Sequence, residues 1–362
     1  RHADVVESVN NLNNKSIRIH SITDEEDKRL QSSLFLPERY GWKLFCDYAQ
    51  KLNADRALLM YSDYFQLPII LGQSSPCPFS GIYFRPTFHY SQFANYRPDI
   101  WEKLKAFRKK ILLKRMLKIK QLEVLFCLDP IVVEYILQNF NTHAQIRRIP
   151  DYFVRYKTPP GHIEELRSEL GIESGRTVLS LIGSLDHRKG PQQLLAAIEN
   201  LSPDIQNKLC LLLVGKLNES IANEVLTQIQ KLKSSSNVQV ILQDEYILDC
   251  IFQEYYELSD VALITYQKHM GMSASLIRAG IAGIPVIASD YGLIGELVLR
   301  NSLGLSVDTK SSQSLTRAIE KVLSSEPKHL FNAEKARAFA NQHSAENLAK
   351  TLADWLEMEE RQ

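Results

Sequence analysis

The chain has 362 residues, which is long for one domain and favours two. Hydrophobic residues make up 44% and charged residues 23%, a composition that excludes a disordered chain and predicts a globular protein with a sizeable core. The net charge of +1 excludes a global attraction to nucleic acid, and no apolar run reaches the roughly 18 residues of a membrane-spanning helix. The charge is uneven, since residues 1–150 hold 22 Lys and Arg against 15 Asp and Glu while the remainder is acidic. This division fits two domains with different partners.

Strand and helix patterns alternate along the N-terminal part, with a helix pattern around 38–53. Its strand patterns are SIRIHSI (16–22), RALLMYS (56–62), GIYFRPT (81–87) and EVLFCLD (123–129). Because Arg1 lies inside a helix pattern, we expect a first strand to precede it. The five cysteines are scattered and form no C-x-x-C pair, so we predict buried, reduced thiols in a cytoplasmic protein.

A second series of strand patterns fills the C-terminal part. It consists of RTVLSLIG (176–183), KLCLLLVG (208–215), VQVILQ (238–243), VALITY (261–266) and IPVIASD (284–290). Near-continuous apolar strands between helices indicate a parallel sheet that is covered on both faces. Two such series predict two doubly wound α/β domains. In sheets of this kind ligands bind beyond the carboxyl ends of the strands, so the loops that follow strands are the candidate sites.

A loop rich in aromatic side chains follows the strand GIYFRPT. Arg85 and His89 lie at the carboxyl end of this strand and should face a cleft. Aromatic rings with a few polar groups are how proteins bind sugars, and His89 is a candidate general base or sugar contact. The alternative is a histidine satisfied within a polar loop. Asp63, after RALLMYS, is a weaker candidate whose alternative is a turn aspartate.

Residues 103–120, KLKAFRKKILLKRMLKIK, hold nine basic residues and no acid. A basic helix with interleaved Leu, Ile and Phe can lie on an anionic membrane surface. The alternative is a solvated helix that packs on a sheet through Leu104, Phe107 and Ile111. The pattern therefore predicts a cytoplasmic protein, with peripheral contact to the inner face of the membrane as a second interpretation.

The seam between the two series lies near 150–160, where prolines and a Pro-Pro-Gly turn precede a fresh helix pattern. The closing stretch is an amphipathic helix with Leu348, Leu352 and Leu356 four residues apart. The chain therefore divides into an N-terminal Rossmann-like domain, a C-terminal Rossmann-like domain and a closing helix, over residues 1–153, 154–343 and 344–362.

The loop after the first strand of the second domain brings two cations to a strand-to-helix turn. In LIGSLDHRKGPQQLLAAI the strand ends at Gly183, a polar loop with Ser184 follows, and Gly190 leads into a helix. Lys189 acts as a point charge for a phosphate, and Arg188 presents a fork that binds two oxygens. The pair suits a diphosphate, and the alternative is two ordinary solvated charges.

A second loop, YQKHMGMSAS, opens into the helix pattern SLIRAGIAG. Amide groups at a helix start bind anions, Ser273 and Ser275 serve as caps or hydroxyl donors, and Gly271 lets the backbone approach a ligand closely. The alternative is a plain capped helix. Because both loops follow strands of one predicted sheet, together they supply a cationic side and an amide side of one anion site.

These two loops resemble motifs of the GT-B glycosyltransferases of the group one, or family four, type. In GSLDHRKG the residues Gly183, Leu185, Lys189 and Gly190 match the family's Gly-Arg-Leu and Lys-Gly positions, while Ser184 replaces the usual Arg. The second motif agrees in order and spacing at Gly271, Ala279, Gly283, Pro285, Val286, Ile287, Ala288, Ser289, Asp290, Gly292 and Glu296. The resemblance covers about 165–320, and the N-terminal part matches only in its strand and helix rhythm.

The resemblance implies a GT-B fold, with two Rossmann-like doubly wound domains facing a cleft and the closing helix crossing back to the first domain. It also implies transfer of a sugar from a nucleotide diphosphate sugar. The loop LQDEYI aligns with the segment that meets the base. The donor-binding residues that we predict are Gly183, Ser184, Arg188, Lys189, Tyr246, Ile247, Met270, Gly271, Ser273, Ala274, Ser275 and Arg278.

We expect a hexose to be transferred to a growing bacterial polysaccharide or a lipid-linked glycan, with UDP-glucose as donor because it is a common donor in the family. No metal or other cofactor is expected, since fixed cations and helix-end dipoles stabilise the leaving diphosphate. The protein is therefore expected to bind a nucleotide sugar and a glycan acceptor, and not nucleic acid.

The chain departs from the family at two positions that usually carry Glu. Met270 and Arg278 stand there, and Arg has no acceptor lone pair for ribose hydroxyls. Arg278 is instead expected to reach a phosphate oxygen. A binding protein that keeps the fold without turnover is the alternative function. A nicotinamide dehydrogenase is disfavoured because no Gly-x-Gly-x-x-Gly turn follows the early strands of either domain.

Overall fold

Two parallel sheets form the framework of the computed structural model, which describes residues 14, 16–32, 37–325 and 327–357. The strands are β1 Ala57–Leu59, β2 Phe79–Tyr83, β3 Leu122–Cys127, β4 Gln145–Arg148, β5 Thr177–Ile182, β6 Leu209–Val214, β7 Gln239–Gln243, β8 Val261–Ile264, β9 Val286–Ser289 and β10 Gly304–Val307. The helices are α1 Asp24–Ser32, α2 Pro37–Lys51, α3 Gln66–Leu71, α4 Ile100–Met116, α5 Pro130–Asn139, α6 His162–Glu169, α7 Pro191–Glu199, α8 Pro203–Gln206, α9 Glu219–Ser235, α10 Asp249–Leu258, α11 Ala274–Ala282, α12 Gly292–Arg300, α13 Ser312–Ser324, α14 Ala333–Asn341 and α15 Ala345–Leu356. Two 3₁₀ helices, Thr87–Gln92 and Pro327–Leu330, complete the described elements.

The N-terminal sheet has the order β1-β2-β3-β4, with every neighbouring pair parallel. Strands β2 and β3 lie in its centre and are buried almost throughout, which is why their apolar runs were recognisable. The expected strand at 16–22 is wrong: these residues are exposed and have no strand assignment. The strand expected before Arg1 lies outside the described residues.

The C-terminal sheet has the order β10-β9-β8-β5-β6-β7, again entirely parallel. Counted from β5, this is the 3-2-1-4-5-6 order of a doubly wound nucleotide-binding sheet. The chain leaves β5 toward one edge and returns on the other side as β8, so the strand order reverses between these two neighbours. Ligands bind at such a reversal, and the loops that follow β5 and β8 are the two loops selected from the sequence.

Helix α15 packs on the N-terminal sheet after the chain has passed through the C-terminal one. Trp355 is buried against Ile82, Val124 and Phe126, and its ring centroid lies 6.1 Å from that of Phe126. Phe153 forms an isolated parallel bridge with Ser344. The chain therefore crosses between the two sheets twice at one place, although the domain limits at 153 and 343 stay predictions.

Helix α4 begins at a capping box, in which Asp99 accepts from the Glu102 amide and Glu102 accepts from the Asp99 amide. Its inner side is formed by the fully buried Leu113 and Met116. The packing of this helix through Leu104, Phe107 and Ile111, which the sequence offered as one alternative, is wrong because all three side chains are exposed. Among the cysteines, Cys250 is exposed and the other four are buried, with no disulfide.

His343 lies at the crossing between the sheets and is fully buried. Its backbone carbonyl accepts from the Phe153 amide (2.9 Å), and its Nε2 lies 3.3 Å from Nη2 of Arg148. Burial, together with the positive charge of Arg148, lowers the pKa of His343 from 6.5 to about 4. The imidazole therefore stays neutral in the folded protein at pH values where the unfolded chain binds a proton.

We expect the free energy of unfolding to fall by on the order of 3 kcal/mol through this one group as the pH drops from 6.5 to 4. The sign follows from the lowered pKa: the unfolded state binds more protons in this window, while well above pH 6.5 neither state binds one. Urea unfolding at pH 7 and at pH 4.5 measures the effect, and His343→Gln should remove it from the total. Equal pH dependence of the two proteins would contradict the assignment.

Candidate functional site

The loop after β5 is shaped to hold Lys189 beneath the end of the strand. Leu185 is fully buried and its amide donates to the Lys216 carbonyl, which fixes the loop to the neighbouring strand end. The Lys189 amide donates to the Asp186 carbonyl (3.0 Å) and side chain (3.2 Å), which closes the turn. Gly183 has φ +107°, and a Cβ at this position would lie 2.6 Å from the Lys189 ammonium. Glycine suits this position because φ +107° would strain any L side chain, and a Cβ would also press on the lysine head.

Lys189 is the most deeply buried cation of this region, with 4% of its surface exposed. Its Nζ donates to the Ile182 carbonyl and to the Tyr266 hydroxyl, the latter at 3.2 Å. The same ammonium lies 5.0 Å from the centre of the Tyr266 ring. A buried ammonium interacts strongly with an anion because little water screens it.

Tyr266 connects the two predicted loops. Its hydroxyl contacts Lys189 on one side and, on the other, Ser275 Oγ (3.0 Å) and Ser273 Oγ (3.4 Å). Burial opposes ionisation of Tyr266, but the Lys189 charge and the serine hydrogen bonds outweigh it, so the pKa of this hydroxyl lies below its ordinary value. The structure thus brings the cationic loop and the amide loop together through a residue that the sequence presented only as the end of a strand.

The start of helix α11 faces this network. Ser273 is the N-cap, but its side chain makes no capping hydrogen bond because it is turned toward Tyr266. The first amides of a helix have no partner within the helix, so those around Ala274 and Ser275 remain suited to an anion. Gly271 has φ +115°, and a Cβ there would meet no atom within 4 Å, which leaves open space beside the loop.

The pKa of His269 responds to the positive charges around the site. Its Nε2 lies 3.2 Å from the Met272 carbonyl, and its ring centre lies 5.1 Å from that of Tyr266. Burial lowers the pKa of His269, and the positive charges of Arg188, Arg85 and Lys189 lower it further. Cations from the N-terminal and the C-terminal parts of the chain therefore converge on one place, which favours an anionic ligand.

The remaining predicted donor residues differ in exposure. Arg188 is half exposed, with its guanidinium 5.4 Å from the Tyr266 ring centre and 3.6 Å from Asp186. Ser184 is exposed, and Met270 packs partly buried against the core. In the loop assigned to the base, Tyr246 is 82% exposed while Ile247 is buried. The exposed Tyr246 leaves the edge of this loop accessible to the planar ring of a nucleotide base.

Arg278 pairs with Asp249 in this structure, and its expected contact with a phosphate oxygen stays a prediction. Its Nη2 donates to Asp249 Oδ1 at 3.0 Å. Its guanidinium also lies over the rings of Phe153 and Phe252, 4.8 and 4.9 Å from their centres. The Asp249 contact was not foreseen, because nothing in the sequence marks a pair 29 residues apart.

The placement of His89 at the surface of the cleft is also corrected. The imidazole is fully buried: Nδ1 lies 2.6 Å from the Pro86 carbonyl and Nε2 lies 3.1 Å from Asp129 Oδ2. Aromatic rings, among them Tyr90 and Phe93, enclose it. A fully buried imidazole cannot reach the hydroxyl of a glycan acceptor, so the catalytic role of His89 stays a prediction that requires the loop to rearrange.

Arg85 remains as the exposed candidate of the N-terminal part. Its carbonyl accepts from Lys109 Nζ (2.8 Å), which holds the loop, while its charge acts on His269 across the cleft. Nearby, Asp63 accepts weakly from the Phe84 amide (3.4 Å). Burial raises the pKa of Asp63, while the positive charges of Lys109 and Arg85 act to lower it.

Direct contacts close one side of the cleft. Tyr291 donates to Glu102 at 2.6 Å, and its ring centre lies 5.0 Å from that of Tyr96. Lys268 lies 3.6 Å from Asp99. The start of helix α4 is thereby held against the loops that follow β8 and β9. Among the described residues, no group of three or more His, Cys, Asp and Glu side chains is arranged to hold a metal ion.

Comparison with known proteins finds a family match in the C-terminal part. Residues 162–338 match the family model of the "Glycosyl transferases group 1". A D-inositol 3-phosphate glycosyltransferase of Rhodococcus jostii is 29% identical over 203 residues, which are 55% of this chain and 44% of that protein. The lipopolysaccharide 1,2-N-acetylglucosaminetransferase of Salmonella typhimurium is 26% identical over 224 residues, 58% of this chain and 56% of that protein. The chain thus spans about half the length of these curated relatives.

Solved structures share the fold over most of the chain. Anabaena Alr3699/HepE in complex with UDP has a TM-score of 0.64 at 18% identity, covering 87% of this chain and 82% of that one. The same Anabaena protein has also been solved with UDP-glucose. Sucrose-phosphate synthase from Thermosynechococcus elongatus has a TM-score of 0.62 at 19% identity, covering 95% and 82%. These similarities confirm the predicted GT-B fold, and the family match over residues 162–338 supports the resemblance on which it was based.

Proposed function

Since residues 162–338 match the family model of the group 1 glycosyl transferases and the two sheets have the GT-B fold, we propose that this protein transfers a hexose from a UDP-sugar to a glycan acceptor. One observation carries the proposal: Lys189, Tyr266 and the start of helix α11 form a single network at the reversal of the C-terminal sheet. A diphosphate fits a place that offers a buried ammonium and unpaired helix amides.

The proposed chemistry follows from where negative charge develops. As the bond between the sugar and the diphosphate breaks, charge accumulates on the leaving diphosphate, and a fixed cation stabilises it without reorganising. Lys189 is fixed by Ile182 and Tyr266, while Arg188 and Arg85 add positive charge from the two sides of the cleft. We propose that this set suffices without a metal ion. Glucose is proposed as the sugar because the Anabaena protein of the same fold was solved with UDP-glucose.

The acceptor is proposed to be a growing polysaccharide or a lipid-linked glycan of a bacterial envelope, and helix α4 supports contact with a membrane. Ile100, Trp101, Leu104, Phe107 and Ile111 are between 39% and 69% exposed; these five residues are named the apolar stripe. Four of them, all but Trp101, lie within about 60° of one another around the helix, opposite the buried Leu113 and Met116.

Basic side chains border the apolar stripe on both sides. On the helix, Lys103 and Lys114 flank one edge, and Arg108 and Arg115 flank the other. An exposed apolar strip between cations matches an anionic lipid surface, where apolar side chains enter the interface and cations meet headgroups. We therefore propose peripheral attachment through α4. No helix within the described residues combines the length and apolar character needed to cross a bilayer.

A binding protein without turnover is the second candidate, because Met270 and Arg278 stand where the resembled family carries Glu. The two candidates separate in one experiment. The protein is incubated with UDP-glucose, other UDP-, GDP- and ADP-sugars and an extract of lipid-linked glycans, in EDTA and in Mg²⁺, and release of the nucleoside diphosphate is followed.

We expect acceptor-dependent release of UDP, at equal rates in EDTA and in Mg²⁺. The Lys189→Met protein serves as the control for contaminating activity. Thermal stabilisation by nucleoside diphosphates without release from any donor would favour the binding protein, since a ligand at 100 times its Kd adds about 2.7 kcal/mol to stability. If the protein shows no stabilisation by any nucleoside diphosphate and no release from any donor, both candidates are contradicted.

A further inference from the structure

An ion pair joins the two segments that would hold the ends of a nucleotide. Arg278 lies one helical turn beyond the amides of Ala274 and Ser275, which are proposed to bind the phosphates. Asp249 follows Ile247, at the proposed base, by two residues. Arg278 Nη2 and Asp249 Oδ1 are 3.0 Å apart, so the pair joins the helix that carries the proposed phosphate amides to the segment that carries the proposed base contact. In a nucleoside diphosphate the ribose lies between the phosphates and the base.

Arg278 is held firmly in this position. Only 9% of the residue is exposed, and its guanidinium lies over the rings of Phe153 and Phe252. The Phe252 ring in turn lies 3.5 Å from where a Cβ of Gly183 would be, so Arg278 is fixed beside the phosphate loop of β5. Its Nη1 is buried and has no hydrogen-bond partner within the described part of the chain. Arg278 is therefore held in a fixed position, and its Nη1 can still donate a hydrogen bond.

Asp249 has the opposite character. Its side chain is 79% exposed at the start of helix α10. Arg278 contacts one carboxylate oxygen, which leaves the second oxygen for a ligand. A carboxylate accepts hydrogen bonds and a guanidinium only donates them. The two hydroxyls of a ribose are donors, so of this pair only Asp249 can bind them as an acceptor.

We propose that Asp249 accepts hydrogen bonds from the ribose hydroxyls of the donor nucleotide, with Arg278 as the positioning residue that orients the carboxylate. The inference rests on the proposed nucleotide-sugar function and deepens it. Arg278 cannot accept a hydrogen bond from a ribose hydroxyl. In this proposal the acceptor is the Asp249 carboxylate on helix α10, and Arg278 orients it. A hydrogen bond to an ionised group contributes more than one between neutral groups, so its loss should be measurable.

The test compares ribose with a sugar that lacks both hydroxyls. Calorimetry gives the Kd of UDP and of 2′,3′-dideoxy-UDP for the unmodified protein, Asp249→Ala and Arg278→Gln, and the same is done with GDP and ADP and their dideoxy forms. We expect Asp249→Ala to weaken binding of the ribonucleotide about tenfold and to leave the dideoxy form unchanged. Arg278→Gln should also reduce the preference for the ribonucleotide over its dideoxy form. The double variant should bind the ribonucleotide no more weakly than Asp249→Ala does.

Glu245→Gln is the matched control, because it removes a charge from the same exposed loop without touching Arg278. Equal weakening of ribo- and dideoxynucleotides by Asp249→Ala, or no weakening of either, would overturn the proposal. If GDP is the ribonucleotide that binds, the UDP donor is wrong while the ribose contact stands. If none of the three diphosphates binds the unmodified protein, the proposed function fails and this contact fails with it.

Discussion

Lys189→Met is expected to weaken binding of the donor diphosphate by about 1.5–3 kcal/mol, a loss of about 10- to 150-fold in affinity. The reason is that the Lys189 ammonium is buried and held by Ile182 and Tyr266, so its charge is both unscreened and fixed. Methionine keeps the length of the side chain and removes the charge. Calorimetry with UDP measures the change, and circular dichroism confirms that the variant is folded.

Lys216→Met is the control for this experiment. Lys216 lies in the loop after the neighbouring strand β6, where it is exposed and pairs with Asp244 at 3.2 Å. An exposed pair of this kind contributes little, so the affinity for UDP should not change. Equal losses in the two variants would show that any positive charge near these loops, and not a specific contact of Lys189, attracts the nucleotide.

Trp101→Ser combined with Phe107→Ser is expected to lower partitioning onto anionic vesicles by about 100-fold or more. Each of these side chains is more than half exposed on the apolar stripe, and full burial of one such side chain contributes about 1.5–3 kcal/mol. Sedimentation with vesicles containing phosphatidylglycerol measures the partition coefficient. Neutral phosphatidylcholine vesicles should bind the unmodified protein more weakly, because each basic residue near an anionic surface adds about 1 kcal/mol.

Leu71→Ser combined with Leu137→Ser provides the matched control. Both leucines are more than half exposed but lie on other helices, α3 and α5. This variant removes apolar surface away from the stripe and should bind vesicles as the unmodified protein does. The attachment through α4 would be ruled out if the two double variants behaved alike, or if the unmodified protein remained in the supernatant with anionic vesicles.

The central strands were predictable because their burial leaves a direct mark on composition. In β6, for example, six consecutive residues are buried and all are apolar or cysteine, so the segment admits few other interpretations. The strands that escaped prediction, β4 and β10, lie at sheet edges. Their residues are exposed or half buried, apart from Ile146, and β4 contains two arginines, so no apolar run marks them. The false strand at 16–22 shows the converse, since an alternating pattern predicts a strand without supplying a partner.

The candidate site divides in the same way. Lys189 and the start of helix α11 could be found because local sequence determines a loop after a strand and the amides of a helix start. The role of Tyr266 was accessible in principle, because a hydroxyl at the carboxyl end of an apolar strand lies where ligands bind. The burial of His89 and the pairing of Arg278 with Asp249 were not accessible, since both depend on residues far away in the chain.

A crystal structure of the protein with UDP tests the central claim most directly. We expect the diphosphate at the reversal between β5 and β8, with its oxygens within hydrogen-bond distance of the Lys189 ammonium and of amides in the first turn of α11. Density for UDP elsewhere on the chain, or side chains filling this place while UDP at high concentration remains unbound, would contradict it.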